Sequence, residues 1–283
     1  VKAVTFVGTT GVGKQVYSKA AAHGKRVQAQ CEAKNHALVL EDCNLEATVN
    51  AIINSTYGCA GMRCMALPVV CVQESIADEF VSLLKKKAEA MKLGCAYDED
   101  TDLGPVVNAG HKEKICNWIQ KGIDEGAELV LDGRNVAVPG YENGFFVGPT
   151  ILDHVTPEMT VGNREIFGPV TCIKRVKDYE EGIKIMNANP FANGSCIFTQ
   201  SGYYSRRFAM ETDGGMVGIN VGIPVPTAYF PFSGNKDSFF GDLHVLGKDG
   251  YRFFTRAKTV TTHWFDEAAG KRKVGTWEGS TEA

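Results

Sequence analysis

Short apolar segments and longer amphipathic ones take turns through most of this chain, and that alternation limits its fold more than any other feature. Val4 to Val7, Arg26 to Cys31, Ala37 to Leu40, Val69 to Val72, Leu129 to Leu131, Val170 to Val176, Ser195 to Thr199 and Met216 to Val221 read as strands. Between them, Gln15 to Gly24, a segment capped by Asp42 or Asn44 and reaching Tyr57, Ser75 to Met91, His111 to Glu125, Tyr179 to Asn187 and Tyr203 to Glu211 read as helices. Ile76, Phe80, Leu83 and Leu84 form an inner face on one, and Ile115, Ile119 and Ile123 recur at spacings of four on the next. Strand and helix in alternation predict an α/β fold built on a largely parallel sheet flanked by helices. Past Pro224 the pattern stops. Pro224 to Gly247 reads as an irregular loop, and Phe253 to Trp264 is β-branched and aromatic, hence strand-prone. A lone strand at a chain end must pair with something, and a second subunit is the expected partner.

Composition narrows the class. The chain has 283 residues, a formal net charge of −3, 44% hydrophobic and 22% charged residues, all ordinary for a globular protein with a sizeable core. No long basic block precedes the final tail, which argues against nucleic acid or an anionic membrane surface as partner. No apolar run reaches the ~18 residues a spanning helix needs. Nine cysteines at irregular spacing, without a CxxC pair, suit free thiols in a reducing compartment, and no zinc-site spacing appears. The chain opens Val1-Lys2-Ala3-Val4-Thr5-Phe6-Val7-Gly8, as if inside a core strand, so it is expected to be the C-terminal part of something longer.

Three segments carry chemistry. Gly8-Thr9-Thr10-Gly11-Val12-Gly13-Lys14 lies between a strand and a helix, an arrangement that aims amides at a phosphate. Its G-x-x-x-x-G-K spacing resembles a P-loop, but Gln15 stands where that loop needs Ser or Thr, and it is not the G-x-G-x-x-G fingerprint. A plain strand-to-helix turn fits as well. Tyr57-Gly58-Cys59-Ala60-Gly61-Met62-Arg63-Cys64-Met65-Ala66-Leu67 places a thiol after small residues, with a guanidinium beside it that would favour thiolate or grip a carboxylate. A buried, inert Cys64 is the competing reading. In Glu165-Ile166-Phe167-Gly168-Pro169 a carboxylate and an aromatic stand two apart, on one face if the segment is extended. A structural loop is its alternative.

Taken in order, the Gly8-x4-Gly13 turn, the Gly61-x-x-Cys64 loop and Glu165-Ile166-Phe167-Gly168-Pro169 resemble the cofactor turn, nucleophile loop and nicotinamide-side motif of the aldehyde dehydrogenase superfamily. Ala33-Lys34-Asn35-His36, Arg63-Cys64-Met65-Ala66-Leu67, Gly241-Asp242-Leu243-His244 and Thr259-Val260-Thr261 resemble its coenzyme A-acylating, semialdehyde-oxidising branch, so the likeness runs from Val4 to about Trp264. The resemblance implies 1–32 as the last part of an NAD-binding domain, 33–252 as the catalytic domain, 253–264 as an oligomerisation strand and 265–283 as a polar tail. It implies that Cys64 attacks an aldehyde, its own NH helping to hold the oxyanion, while hydride passes to NAD and coenzyme A takes the acyl group. Gly8, Thr9 and Gly13 would face the cofactor's adenosine and pyrophosphate portion. Glu165 would bind the nicotinamide ribose, with Phe167 beside it. Arg63 would hold the carboxylate of malonate or methylmalonate semialdehyde, with acetyl- or propionyl-CoA and carbon dioxide as products.

Gln30 stands where hydrolytic relatives carry a general-base Glu; an amide cannot take that proton, which fits transfer to a thiol. Cys31-Glu32 replaces a small apolar pair and Met62 replaces a Gln. The resemblance further implies a homo-oligomer, dimer or tetramer, in the mitochondrial matrix of a eukaryote or otherwise the cytoplasm. The missing front would hold most of the Rossmann-like domain, the Asn completing the oxyanion hole and a cofactor-binding Lys. The alternative is a truncated, inactive homologue kept as a structural subunit of a larger assembly. A P-loop NTPase is a more distant reading.

Overall fold

Side chains that alternate along a strand point to opposite faces, and the central strands here are apolar on both. Ala37 and Val39 face one core with Ile52, Phe80 and Ile115, whereas Leu38 and Leu40 face another with Tyr179, Ile183 and Phe208. Two helical layers on one sheet follow from that pattern.

The computed structural model describes residues 1–264. Ala3–Val7 (β1), Thr10–Ala21 (α1) and Arg26–Gln30 (β2) open the chain, followed by His36–Val39 (β3), Leu45–Tyr57 (α2), Val69–Gln73 (β4), Glu74–Glu89 (α3) and Ala109–Asp124 (α4). Glu128–Leu131 (β5), Thr150–Asp153 (β6), Val170–Val176 (β7), Tyr179–Ala188 (α5), Phe191–Ala192 (β8), Gly194–Phe198 (β9), Gly202–Glu211 (α6) and Met216–Ile219 (β10) continue it. Asn235–Lys236 (β11), Phe239–Gly241 (β12) and Gly247–Phe254 (α7) end it. A seven-stranded sheet runs β10-β9-β3-β4-β7-β6-β5, and a three-stranded one runs β1-β2-β12. Ladders in the large sheet are parallel except β5 with β6. The expected α/β architecture is present.

Helix starts follow cap chemistry. Asn44 accepts from the Ala47 amide at 3.1 Å, Asn108 from His111 at 2.9 Å and Asp178 from Glu181 at 3.0 Å. Helix α1 begins at Thr10 and not near Gln15, so Gly11 to Lys14 form its first turns instead of an open loop. Gly13 has a packing reason: a Cβ there would lie 2.3 Å from the Cys31 sulfur.

The tail differs most from expectation. Phe239 to Gly241, inside the stretch assigned to the catalytic domain, pair antiparallel with β2 in the small sheet. Phe253 and Phe254 close α7 instead of opening a strand, since Phe253 packs into the fold at 2% exposure. Residues 255–264 carry no regular secondary structure and are exposed. Strand propensity makes a ladder only where an open edge is offered. The expected polar tail, 265–283, lies outside the described residues.

The core is tied to the nucleophile loop at Tyr57, which is fully buried at the end of α2. Its hydroxyl accepts from Thr171 Oγ1 at 2.7 Å and donates to the Thr150 carbonyl at 3.3 Å, linking α2 to β7 and β6. Tyr57→Phe should therefore lower unfolding free energy in urea by about 1–2 kcal/mol, because it strands the Thr171 hydroxyl. Adding Thr171→Val should recover part of that loss; strictly additive losses would deny the coupling.

Candidate functional site

Strand β2 leads through residues 31–35 directly into β3, so the carboxyl end of the small sheet meets the amino ends of the large one. The loops entering β3, β4 and β7 converge there. Ala33, Asn35, Arg63, Cys64, Glu165 and Phe167 line one cleft. Cys64 is an exposed residue at it and belongs to neither hydrophobic core.

The backbone is forced into place. Cys59, Ala60 and Gly61 take φ of 53°, 54° and 68°, three consecutive left-handed residues that reverse the chain after α2. Such residues cost about 1–2 kcal/mol each outside glycine, a strain that neighbouring packing must hold. Gly61 cannot be replaced cheaply, since its Cβ would lie 2.2 Å from the Gly168 carbonyl. The nucleophile loop and the Glu165 loop thus touch backbone to backbone.

Two buried amides hold the Cys64 carbonyl: Asn35 Nδ2 donates at 2.9 Å and Asn193 Nδ2 at 3.1 Å. Neither was singled out as functional from sequence, although Asn35 lies in a segment that carried the resemblance. Glu165 accepts from the Ala33 amide at 3.1 Å. Phe167 has φ of 60°, so the segment is not extended there, and the two side chains reach the cleft through a left-handed turn instead of strand alternation. His111 Nε2 donates to the Phe167 carbonyl at 2.7 Å and its ring meets the Phe167 ring edge-on.

The electrostatics correct one expectation. Burial pushes the Cys64 thiol up, the backbone amides of Cys64 and Met65 offset part of this, and Glu165 adds repulsion. Arg63 does not act on the sulfur: its guanidinium folds back against Gly58 and donates to the Asn54 carbonyl at 3.4 Å. Burial also raises Glu165 from 4.5 to about 7, opposed by the Ala33 amide and reinforced by Glu32.

Gly8, Thr9, Gly13 and Gln30 do not line the cleft with Cys64. They gather at the start of α1, where the Gly8 amide donates to the Gln30 carbonyl at 3.1 Å. The Gln30 carboxamide is buried and donates to the Phe232 carbonyl at 3.4 Å. Thr9 is the exposed N-cap of α1, but its hydroxyl makes no cap bond; Glu32 takes the Thr10 amide at 2.9 Å. A dinucleotide would find a carboxylate, an aromatic ring and a thiol at one end, and at the other a helix N-terminus with a side chain already on it. The residues fit such a cofactor provided that Glu32 gives way.

Glu165 sets two expectations. Between about pH 4.5 and 7 its carboxyl holds a proton in the folded chain that the unfolded chain has released, so this group's contribution to stability falls as pH rises through that window. Glu165→Gln should remove the fall, giving the variant a lead of order 2 kcal/mol at pH 8 that vanishes near pH 4, read from urea midpoints. The same variant should speed iodoacetamide alkylation of Cys64 at pH 8, because it removes a charge that holds the thiol protonated; slower alkylation would contradict this.

The chain is similar to known proteins over most of its length. The chain is 52% identical over 264 residues to malonate-semialdehyde dehydrogenase 2 of Oceanobacillus iheyensis, covering 93% of this chain and 54% of that protein. It is 49% identical over 265 residues to malonate-semialdehyde dehydrogenase 1 of Bacillus licheniformis, covering 94% and 54%. The chain spans about half the length of the curated relatives it matches. Among solved structures, methylmalonate-semialdehyde dehydrogenase from Oceanimonas doudoroffii superposes with a TM-score of 0.92 at 44% identity, covering 96% of this chain and 56% of that one. Betaine aldehyde dehydrogenase from Staphylococcus aureus, solved in complex with NAD+, gives 0.86 at 27% identity, covering 94% and 54%. The family model for aldehyde dehydrogenases matches residues 1–260, and the chain belongs to the aldehyde dehydrogenase family.

Proposed function

We propose that this chain carries the nucleophile and nicotinamide side of an NAD-dependent, coenzyme A-acylating oxidation of malonate or methylmalonate semialdehyde. The observation that carries the reading is the convergence of Cys64, Arg63, Glu165 and Phe167 on one cleft. Relatives at about 50% identity that bear the name malonate-semialdehyde dehydrogenase support the substrate class.

Cys64 passes its proton to solvent and the thiolate adds to the aldehyde carbon, forming a thiohemiacetal alkoxide. Amides of Cys64 and Met65 stabilise charge at the sulfur, and Asn35 with Asn193 fixes the carbonyl behind it. The hydride would pass from the alkoxide carbon to NAD when that cofactor is bound beside Glu165 and Phe167, leaving an acyl thioester on Cys64. Glu165 offers the ribose a carboxyl acceptor, and Phe167 gives the ring an apolar neighbour. Arg63 exchanges the Asn54 carbonyl for the substrate carboxylate, a bidentate partner that a guanidinium prefers. That carboxylate leaves as carbon dioxide, the enolate left behind takes a proton from solvent, and the thiol of coenzyme A displaces Cys64, whose sulfur regains a proton, to give acetyl- or propionyl-CoA. No base is present at Gln30, so water has no activator from that position.

The exposed 255–264 segment supplies a strand for a second copy, making a dimer or tetramer. Nine free cysteines suit a reducing compartment, cytoplasmic or mitochondrial. No helix among the described residues is long and apolar enough to cross a membrane. A second reading, an inactive homologue serving as a structural subunit, draws on the carboxylate that sits at the start of α1.

Adding malonate semialdehyde, NAD and coenzyme A to the native protein should produce reduced nicotinamide and an acyl adduct on the Cys64 peptide by mass spectrometry. Cys64→Ala should remove both, by about a thousandfold or more in rate; retained turnover excludes the mechanism, and absence of turnover in the native protein favours the structural subunit. Arg63→Leu should raise KM roughly tenfold for the carboxylated aldehyde and spare propanal. Equal losses on both would remove the role of Arg63.

A further inference from the structure

An α-helix leaves its first amides unsatisfied and carries a partial positive charge there, so it holds whichever anion is offered. In α1 that anion comes from within. Glu32 Oε2 accepts from the Thr10 amide at 2.9 Å, and Thr10 Oγ1 accepts from the Glu32 amide at 3.3 Å. The two bonds form a reciprocal cap of the capping-box kind, made across 22 residues instead of three.

Glu32 is braced for this. Ser238 Oγ donates to its carbonyl at 2.7 Å, the Cys31 amide donates to the Ser238 carbonyl at 2.8 Å, and Thr10 Oγ1 donates to the Asp237 carbonyl at 3.1 Å. Thr10 is buried beneath the contact, while Gly8, Thr9, Gly11 and Val12 around it are exposed. The rim is open and the bottom is filled by a carboxylate.

We propose that Glu32 is an internal anion competing with the phosphates of a nicotinamide dinucleotide for the N-terminus of α1, so that tight cofactor binding requires its displacement. The proposal rests on the dinucleotide reading above and deepens it by naming the residue that limits affinity. Two negative groups cannot share one amide, and repulsion between carboxylate and pyrophosphate adds to the lost hydrogen bond. Glu32 also repels Glu165, so one side chain acts on both ends of the cofactor site.

ADP and inorganic pyrophosphate probe the phosphate end alone, and calorimetric titration of the native protein, Glu32→Gln and Glu32→Gly tests the competition. Glu32→Gly should bind ADP and pyrophosphate roughly tenfold more tightly than the native protein, and Glu32→Gln, which keeps an acceptor but loses the charge, should fall between. The difference should shrink at high salt. Should Glu32→Gly fail to fold, the near-isosteric Glu32→Gln decides on its own. Affinities within twofold across native protein and variants overturn the proposal, as does binding of neither probe to any of them. If the variants gain affinity for ADP and pyrophosphate but NAD still does not bind, the competition stands and the dehydrogenase reading falls. If NAD binds native protein and variants equally, the reading stands and the competition falls.

Discussion

The carboxamide of Asn35 is the junction on which the site depends. It donates to the carbonyls of Cys64 and Ala66 at 2.9 and 2.8 Å and accepts from the Gly194 amide at 2.8 Å. Cys64 and Ala66 belong to the segment entering β4 and Gly194 opens β9, while Asn35 itself enters β3. A buried amide with three of its four hydrogen bonds satisfied fixes three loops relative to one another. An aspartate in its place would bring acceptors to two carbonyls, and an alanine would leave three backbone groups stranded in a buried site.

This junction explains an unusual placement. Ligands of open α/β sheets ordinarily bind beyond the carboxyl ends of the strands. Here Cys64, Glu165 and Asn35 all precede their strands, at the amino end of the large sheet. At the carboxyl end of the small sheet, β1 and β2 deliver Gly8, Thr9 and Gln30 to the start of α1. The cleft lies between a carboxyl end and an amino end because the chain crosses from one sheet to the other in only five residues, 31–35. Loops at the amino end of the large sheet therefore face the carboxyl end of the small one.

Sequence periodicity disclosed nearly every long element, because helices α2 to α6 and the apolar strands are decided locally by face patterning and caps. The shortest strands it missed, β8, β11 and β12, are two or three residues long and exist only because a partner strand lies alongside. Periodicity cannot show that. Cys64, Glu165 and Phe167 were legible as motif residues, but the direction of the Arg63 side chain was not. Adjacency in sequence suggested a guanidinium beside a thiol, whereas the left-handed turn at Cys59 to Gly61 sends Arg63 back over the end of α2. Asn193 was invisible for the same kind of reason: its partner is 129 residues away. What a residue touches across the fold is set by packing, not by its neighbours in the chain.

Charge around the cleft is suppressed more than it is paired. Lys34 is buried with no hydrogen-bond partner on its Nζ among the described residues, and burial pushes its pKa down toward the neutral amine. Burial also drives His36 well below its ordinary value, helped by Lys174, and lowers Lys174 itself. Glu165, on the other side, is pushed toward the neutral acid, and the Cys64 thiol toward its protonated form. Desolvation is the largest cause in all five, so one physical effect sets the resting state of the whole region. Two other charged side chains are placed by their hydrogen bonds instead. The Arg63 guanidinium lies over the end of α2, on the Asn54 carbonyl, and Glu32 holds the Thr10 amide at the start of α1, the bond that the proposed competition would break.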